Sequence, residues 1–504
     1  MQAEAATTVV GDIGRHWSRA SPDAIALEDG SAAFTYRQLH ERVDRLAARL
    51  AHKGICKGDV VAALLPNGCD CIVVVLAAAR AGATFCPLNP RFTAREVARL
   101  VRVAKPRAVV VGGNRHPALA DPLLLEFCPE ELIVEVNAPE GAISLPTALP
   151  SVEPADFFSL MFTSGTTGQP KGALATHSAR INWISSGIIE YGVTRDDLYL
   201  SAMPLVHSAG LTLALMHLEA GARVHVMPRF DANAFLRIVS EERITSVLVV
   251  PTMLAMLLAE LDDWCAKYDL SSLRRLITCG APLPQPIKSA VLRHLSSQLY
   301  DFYGSTESNS MTVLRPSDQV RKARSVGKPF PGVEIRISGP SGETLPSRQV
   351  GEIWSFNPST MSRYLDAPDA TAAAFSGQWY RTGDLGYLDD EGYLHLAGRA
   401  QEMIISGSMN IYPPEIESVL MEHPDVRDCA IVGMADETWG QVVKAFIALR
   451  GNAHLTLGEV QAHCKQQLAD FKTPRQIEIV AEIPRNAGGK VVKMALMNAL
   501  NRRA

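Results

Sequence analysis

Residues 157–162, FFSLMF, form an apolar run that leads directly into Thr163-Ser164-Gly165-Thr166-Thr167-Gly168-Gln169-Pro170-Lys171-Gly172. A short run that is apolar on both alternations reads as a strand covered on both faces, as in sheets flanked by helices. The ten residues after it carry a different message. Glycines without Cβ let backbone N–H groups come close to an oxyanion. The hydroxyls of Thr163, Ser164, Thr166 and Thr167 add donors, and Lys171 adds a positive charge. Gly172 follows the lysine, so this is not the GxxxxGK[ST] loop. The segment predicts a phosphate-binding loop at the end of a buried strand.

The rest of the chain repeats that rhythm. Residues 36–53 place Leu39, Val43, Leu46 and Leu50 at helical spacing. Apolar strands are predicted at 60–65, 108–111, 132–136, 246–250, 275–278 and 298–303, with a helix through CIVVVLAAARAG. Strands alternating with helices predict an α/β fold with parallel sheets. After about Gly327 short strands (VEIRI, EIWSF, YLHLAG) are separated by GPSGE and DDEG, which predicts an antiparallel β region. A domain of residues 1–400 and a small α+β domain of residues 401–504 are expected, since 504 residues exceed one compact core.

Charge excludes some partners. Lys+Arg is 49 and Asp+Glu is 53, so the net charge is 49 − 53 = −4, and no long basic run offers a nucleic-acid surface. The longest apolar stretch, Cys71 to Ala79, is too short to span a bilayer. The first residues lack a basic-then-apolar leader pattern. The nine cysteines show no CxxC pair and no histidines at zinc spacing. Reduced thiols in a cytoplasmic protein are expected.

Further polar motifs follow predicted strands: Cys279-Gly280-Ala281-Pro282-Leu283 and Asp301-Phe302-Tyr303-Gly304-Ser305-Thr306-Glu307. Strand-end loops are where open α/β sheets bind nucleotides. Tyr380-Arg381-Thr382-Gly383-Asp384-Leu385-Gly386 sets a carboxylate on a tight turn, suited to accept from vicinal hydroxyls, and Gly398-Arg399 comes fifteen residues after Asp384. Near the end, Pro484-Arg485-Asn486-Ala487-Gly488-Gly489-Lys490 puts a lysine in a glycine-rich run.

With these motifs in this order, the chain resembles the adenylate-forming superfamily of acyl-CoA synthetases, firefly luciferase and peptide-synthetase adenylation domains, over essentially its whole length. The resemblance implies a large N-terminal domain, a small mobile C-terminal domain and a site between them. It implies ATP, Mg2+ and coenzyme A as cofactors and a small-molecule carboxylic acid as substrate, with a homodimer left open. By resemblance Tyr303 stacks on adenine, Asp301 accepts from its amino group, Thr306 meets the α-phosphate and Glu307 holds the metal. Asp384 accepts from the ribose hydroxyls, Arg399 reaches ribose or phosphate, and Lys490 is the adenylation lysine. Gly280, Ala281, Pro282, Phe302 and Gly304 complete the nucleotide site.

The resemblance also places His207, in PLVHSAG, at the mouth of an acyl pocket walled by Trp183, Ala209, Cys279, Gly304 and Asn309. No wall residue of that set is cationic, so an uncharged aromatic or short-to-medium-chain tail is expected. The TESN run keeps a dicarboxylate open. Ser406, Gly407 and Ser408 match a thiol-tunnel loop, and Trp439 matches a tunnel-lining element or else a packed core residue. Two positions depart from the family: Gln401 stands at the hinge where Asp or Lys is usual, and Ser408 replaces the second glycine of a Gly-Gly pair. Rival readings are a stand-alone adenylation enzyme loading a carrier protein in trans, a nucleotide sensor without chemistry, and a luciferase-like oxygenase.

Overall fold

The computed structural model describes residues 8–112, 119, 133–136, 149–164, 170–260, 268–399, 402–406, 409–436, 439–451, 453–485, 491–493 and 495–497. Two large sheets carry most of the chain. The first runs, edge to edge, through Arg363–Tyr364, Pro170–Thr176, Phe157–Ser164, Thr84–Leu88, Val60–Leu64, Ala108–Val111 and Ile133–Glu135. The second orders Lys328–Pro329, Asn309–Leu314, Leu299–Ser305, Arg275–Thr278, Ser246–Val249, Leu198–Ser201, Arg223–Val226, Ile25–Glu28 and Ala33–Thr35. In the first sheet every pairing from Phe157–Ser164 to Ile133–Glu135 is parallel, and in the second every pairing from Leu299–Ser305 to Ile25–Glu28, as expected from doubly covered strands; the strands outside those ranges pair antiparallel.

Helices fill the space between the sheets. Cys69–Arg80 is buried on every face, and Ser208–Glu219 on most of its surface. A helix apolar all round belongs in an interior. Both helices share one core with strand residues of the two sheets, such as Val61 and Phe158 from the first and Leu27 and Val247 from the second. The amphipathic helix Tyr36–His52 begins where the sequence predicts. Thr35 accepts from the Gln38 N–H while the Gln38 side chain accepts from the Thr35 N–H, a reciprocal cap.

The antiparallel region is also as expected. Glu334–Ser338, Gly351–Phe356, Trp379–Leu388 and Leu394–Arg399 pair in sequence order. A fourth, smaller sheet joins Ile404–Ser406, Met409–Ile411, Val426–Asp436, Gly440–Leu449 and Gln476–Ile479, with its own apolar cluster around Ile416, Ile431 and Ile447. The sequence reading missed strand Thr84–Leu88, which sits between Val60–Leu64 and Phe157–Ser164. Pro87 lacks a ladder donor and argues against a central strand; here it is paired opposite Ala63 all the same.

Candidate active site

The glycine-rich run lies at a hairpin. Strand Phe157–Ser164 returns antiparallel as Pro170–Thr176, setting Thr163 opposite Lys171. Gly165, Thr166, Thr167 and Gly168 lie outside the described residues, as does the side chain of Ser164. Lys171 holds its ammonium 5.2 Å from the centroid of the Tyr364 ring. The Tyr364 hydroxyl donates to Glu307 Oε1 at 3.1 Å. Three distant segments thus bring the loop's lysine, an aromatic ring and the predicted metal carboxylate together.

Glu307 owes its position to a turn. Thr306, Glu307 and Ser308 connect Leu299–Ser305 to Asn309–Leu314, and Ser305 and Ser308 cross-bond over them at 3.0–3.2 Å. The Glu307 carbonyl accepts from Met361 N–H at 2.7 Å, tying the turn to the segment that holds Tyr364. Among the described residues Glu307 forms no ion pair, and Tyr364 engages only one carboxylate oxygen. A half-buried carboxylate with spare lone pairs suits a hard divalent cation, so this residue fits Mg2+.

The nucleotide side is organised by the same hairpin. Tyr303 donates from its hydroxyl to Asp384 Oδ2 at 2.6 Å, and Arg399 Nε sits 3.1 Å from Asp384 Oδ1. Asp384 and Arg399 are register partners in adjacent strands. Burial, then the Asp384 charge, push the Tyr303 phenol far above its ordinary value, so it stays a donor. Gly304 follows at a register shift, where an added Cβ would lie 1.8 Å from the Asn309 carbonyl oxygen. Only glycine fits there. Gly280 has φ +89°, the left-handed region that favours glycine, at the turn after strand Arg275–Thr278. Ala281 and Pro282 continue that turn, and Phe302 is buried in the core.

Asp301 is buried, 3.9 Å from Lys288 Nζ. Burial outweighs the lysine and raises its carboxyl to about 6. Cys279 follows the neighbouring strand Arg275–Thr278, its thiol pushed up by burial and then by Asp301.

Several of the expected acyl-pocket residues are joined by hydrogen bonds or lie beside residues that are. Trp183 is buried and donates from Nε1 to Ser310 Oγ at 2.9 Å. Asn309 is buried and accepts from Ser208 Oγ at 3.2 Å, next to His207 and Ala209. His207 stands at the N-cap position of helix Ser208–Glu219 without a side-chain cap bond, and burial, then Arg91, hold its imidazole below the ordinary value, in the neutral form.

A cation outside the expected wall residues lies against this cluster. Arg180, one turn before Trp183 on helix His177–Tyr191, is 1% exposed. Its Nη1 donates to Ser208 Oγ at 3.0 Å and to Thr212 Oγ1, and its guanidinium lies over the Trp183 ring at 5.3 Å. Helical spacing from Trp183 is the signal that could have found it.

In the small sheet, Ser406 pairs with Met409 and with Gly440, beside Trp439. Trp439 is 45% exposed under the Arg475 guanidinium, at 5.3 Å, and is not a core residue. Gln401, Gly407, Ser408 and Lys490 lie outside the described residues.

The AMP-binding enzyme family matches residues 14–365, and the AMP-binding enzyme C-terminal domain matches residues 415–490. The indoleacetate–CoA ligase of Aromatoleum aromaticum is 36% identical over 95% of this chain and 96% of its own. A feruloyl-CoA synthase of Amycolatopsis is 36% identical over 94% and 96%. Among solved structures, the o-succinylbenzoate CoA synthetase of Bacillus subtilis, in complex with its acyl-adenylate intermediate, superposes with a TM-score of 0.86 at 29% identity, over 96% of this chain and 97% of that one. The amide bond synthetase McbA of Marinactinospora thermotolerans gives 0.88 at 31% identity, over 97% and 99%. The chain therefore belongs to the adenylate-forming AMP-binding enzyme family, in its acyl-CoA ligase branch, as an AMP-forming acid–thiol ligase with ATP, Mg2+ and coenzyme A as cofactors.

Proposed function

We propose that this enzyme activates an aromatic or short-to-medium-chain carboxylic acid as its acyl-adenylate and passes the acyl group to coenzyme A. The observation that carries the reading is the single turn Ser305–Asn309. It joins the Tyr303–Asp384–Arg399 cluster on one side to the Glu307–Tyr364–Lys171 cluster on the other. A nucleotide lying across that turn would meet an aromatic ring and a carboxylate at its nucleoside end, and a cation and a metal-binding carboxylate at its phosphates. The names of the relatives, which act on indoleacetate, feruloyl and succinylbenzoate substrates, support an aryl acid.

The chemistry follows from charge. Attack of a carboxylate oxygen on the α-phosphorus adds negative charge to the equatorial oxygens, so catalysis is mainly positioning and charge stabilisation. Lys171, Thr306 and the N–H and hydroxyl groups of 163–168 would face those oxygens, and Lys490 would approach from the C-terminal segment. Mg2+, when bound at Glu307, supplies charge neutralisation on the phosphates. Asp384 has both oxygens engaged, yet a carboxylate offers about four acceptor sites, which leaves room for ribose hydroxyls. His207, held in the neutral form, would add no charge of its own beside the acyl group.

We also assign residues 1–400 and 401–504 to two domains that turn about Gln401, and Ser406, Gly407, Ser408 and Trp439 to the thiol route. The proposed partners are the acid and coenzyme A in the cytoplasm. No helix among the described residues is long and apolar enough to cross a membrane.

Pyrophosphate release across a panel of carboxylic acids, with and without coenzyme A, tests the function. Acid-dependent release with matching consumption of coenzyme A is expected. Release without consumption of coenzyme A would favour carrier loading, and no acid-dependent release would leave a nucleotide sensor.

Asp301 adds a pH dependence. Its carboxyl titrates at about 6, and only the ionised form is a pure acceptor for the adenine amino group. The KM for ATP should rise as pH falls from 7 to 5, and Asp301→Asn, which keeps an acceptor oxygen, should flatten that rise. An identical profile in the variant would remove Asp301 from the adenine site. The stability term is full below the ordinary 3.8 and lost as pH rises through about 6, because the folded chain holds this proton more tightly.

A further inference from the structure

Three arginines with charged heads in the interior can be compared. Arg80 places Nη1 2.6 Å from Asp44, and Arg275 places Nη1 2.7 Å from Asp197. Each answers its buried charge with a carboxylate, as burial of a charge demands. Arg180 is more deeply buried than either, and among the described residues no Asp or Glu pairs with it. Its partners are two neutral hydroxyls, on Ser208 and Thr212, and the faces of Trp183 and Phe158 at 5.3 and 5.6 Å. Its Nε is buried without any hydrogen-bond partner. Burial alone lowers its value, to about 9, so it remains charged at neutral pH. Hydroxyls and aromatic faces orient a guanidinium but do not neutralise it.

The position of this charge matters. Ser208 lies between His207 and Ala209, its hydroxyl donates to Asn309, and Trp183 is one turn along the same helix. These are the residues assigned to the acyl pocket, so the argument rests on that assignment. We infer that Arg180 is the specificity residue of the acyl site, and that the preferred substrate is a dicarboxylic acid whose second carboxylate pairs with this guanidinium. The first carboxylate is adenylated; the second stays ionised and completes the ion pair that Arg80 and Arg275 make within the chain. A neutral tail would leave the cation buried beside apolar groups. A tail ending in an anion offers the planar, two-oxygen acceptor that a guanidinium fork matches. An aromatic body between the two carboxylates would rest on Trp183.

The test uses α,ω-dicarboxylates of three to six carbons and phthalate-type aromatic diacids, each beside its monomethyl ester, which keeps length and removes the far charge. With wild-type enzyme, kcat/KM for pyrophosphate release should favour the best diacid over its ester by about tenfold or more, the range of a charge-assisted hydrogen-bond pair. Arg180→Met should reverse the order, losing more on the diacid than on the ester, and Arg180→Lys should keep the diacid ahead. Wild-type preference for every ester would overturn the inference, even if the methionine variant did not fold. A diacid preference kept by a folded Arg180→Met enzyme would also overturn it. Absence of pyrophosphate release with any acid or ester would instead defeat the proposed function.

Discussion

Replacing Lys490 with alanine is expected to lower acyl-adenylate formation by ~10² or more, the usual cost of removing one donor aimed at transition-state charge. Lys490 closes the run Pro484-Arg485-Asn486-Ala487-Gly488-Gly489, and its neighbourhood is anchored on both sides. Arg485 makes a two-pronged pair with Asp428 at 2.8 and 2.9 Å, and it bridges to Val491 across the run. Lys493 is ion-paired with Glu402 at 2.8 Å and Glu417 at 3.2 Å. The substitution should therefore spare the fold of the small sheet. It should also spare thioester formation from preformed acyl-adenylate, because the second step has no phosphorus attack to stabilise. Single-turnover measurement of each half-reaction decides the matter. An equal fall in both would show that one catalytic face serves both steps.

Asp384→Ala is expected to raise the KM for ATP by about ten- to a hundredfold, the equivalent of losing charge-assisted hydrogen bonds worth roughly 1.5–3 kcal/mol. The substitution acts twice. It removes the acceptor for ribose hydroxyls, and it strips the Tyr303 hydroxyl and Arg399 of the carboxylate that sets them 2.6 and 3.1 Å away. Tyr303 should then lose its fixed orientation beside adenine. Asp384→Asn keeps an acceptor for the tyrosine and should fall between the two. The ranking of acids should not change in either variant. An unaltered ATP dependence, measured with the acid saturating, would remove Asp384 from the nucleotide site.

Much of the proposed site was legible because its motifs are local. The apolar strand and its loop, the turn carrying Thr306 and Glu307, and Asp384 fifteen residues before Arg399 are read from short runs of sequence. Structure adds the reason they meet: the hairpin at Gly304 and the pairing of Trp379–Leu388 with Leu394–Arg399. What resisted reading depends on distant partners. Arg180 looks like a solvated residue on a helix, yet its hydroxyl partners come 28 and 32 positions later, and Asn309 beyond them joins the cluster through Ser208. Pro87 argues against the central strand it occupies, because register and not propensity decides its place. Tyr364 carries no motif at all; it reaches Glu307 only because Arg363–Tyr364 pairs at the edge of the first sheet beside Pro170–Thr176.

The central claim is that the acid's carboxylate attacks the α-phosphorus of ATP. It is tested most directly with an acid labelled with oxygen-18 in its carboxyl group, followed by mass analysis of the products of one turnover with coenzyme A. The account predicts one labelled oxygen in AMP and unlabelled pyrophosphate. Label in inorganic phosphate, with ADP formed in place of AMP, would contradict it.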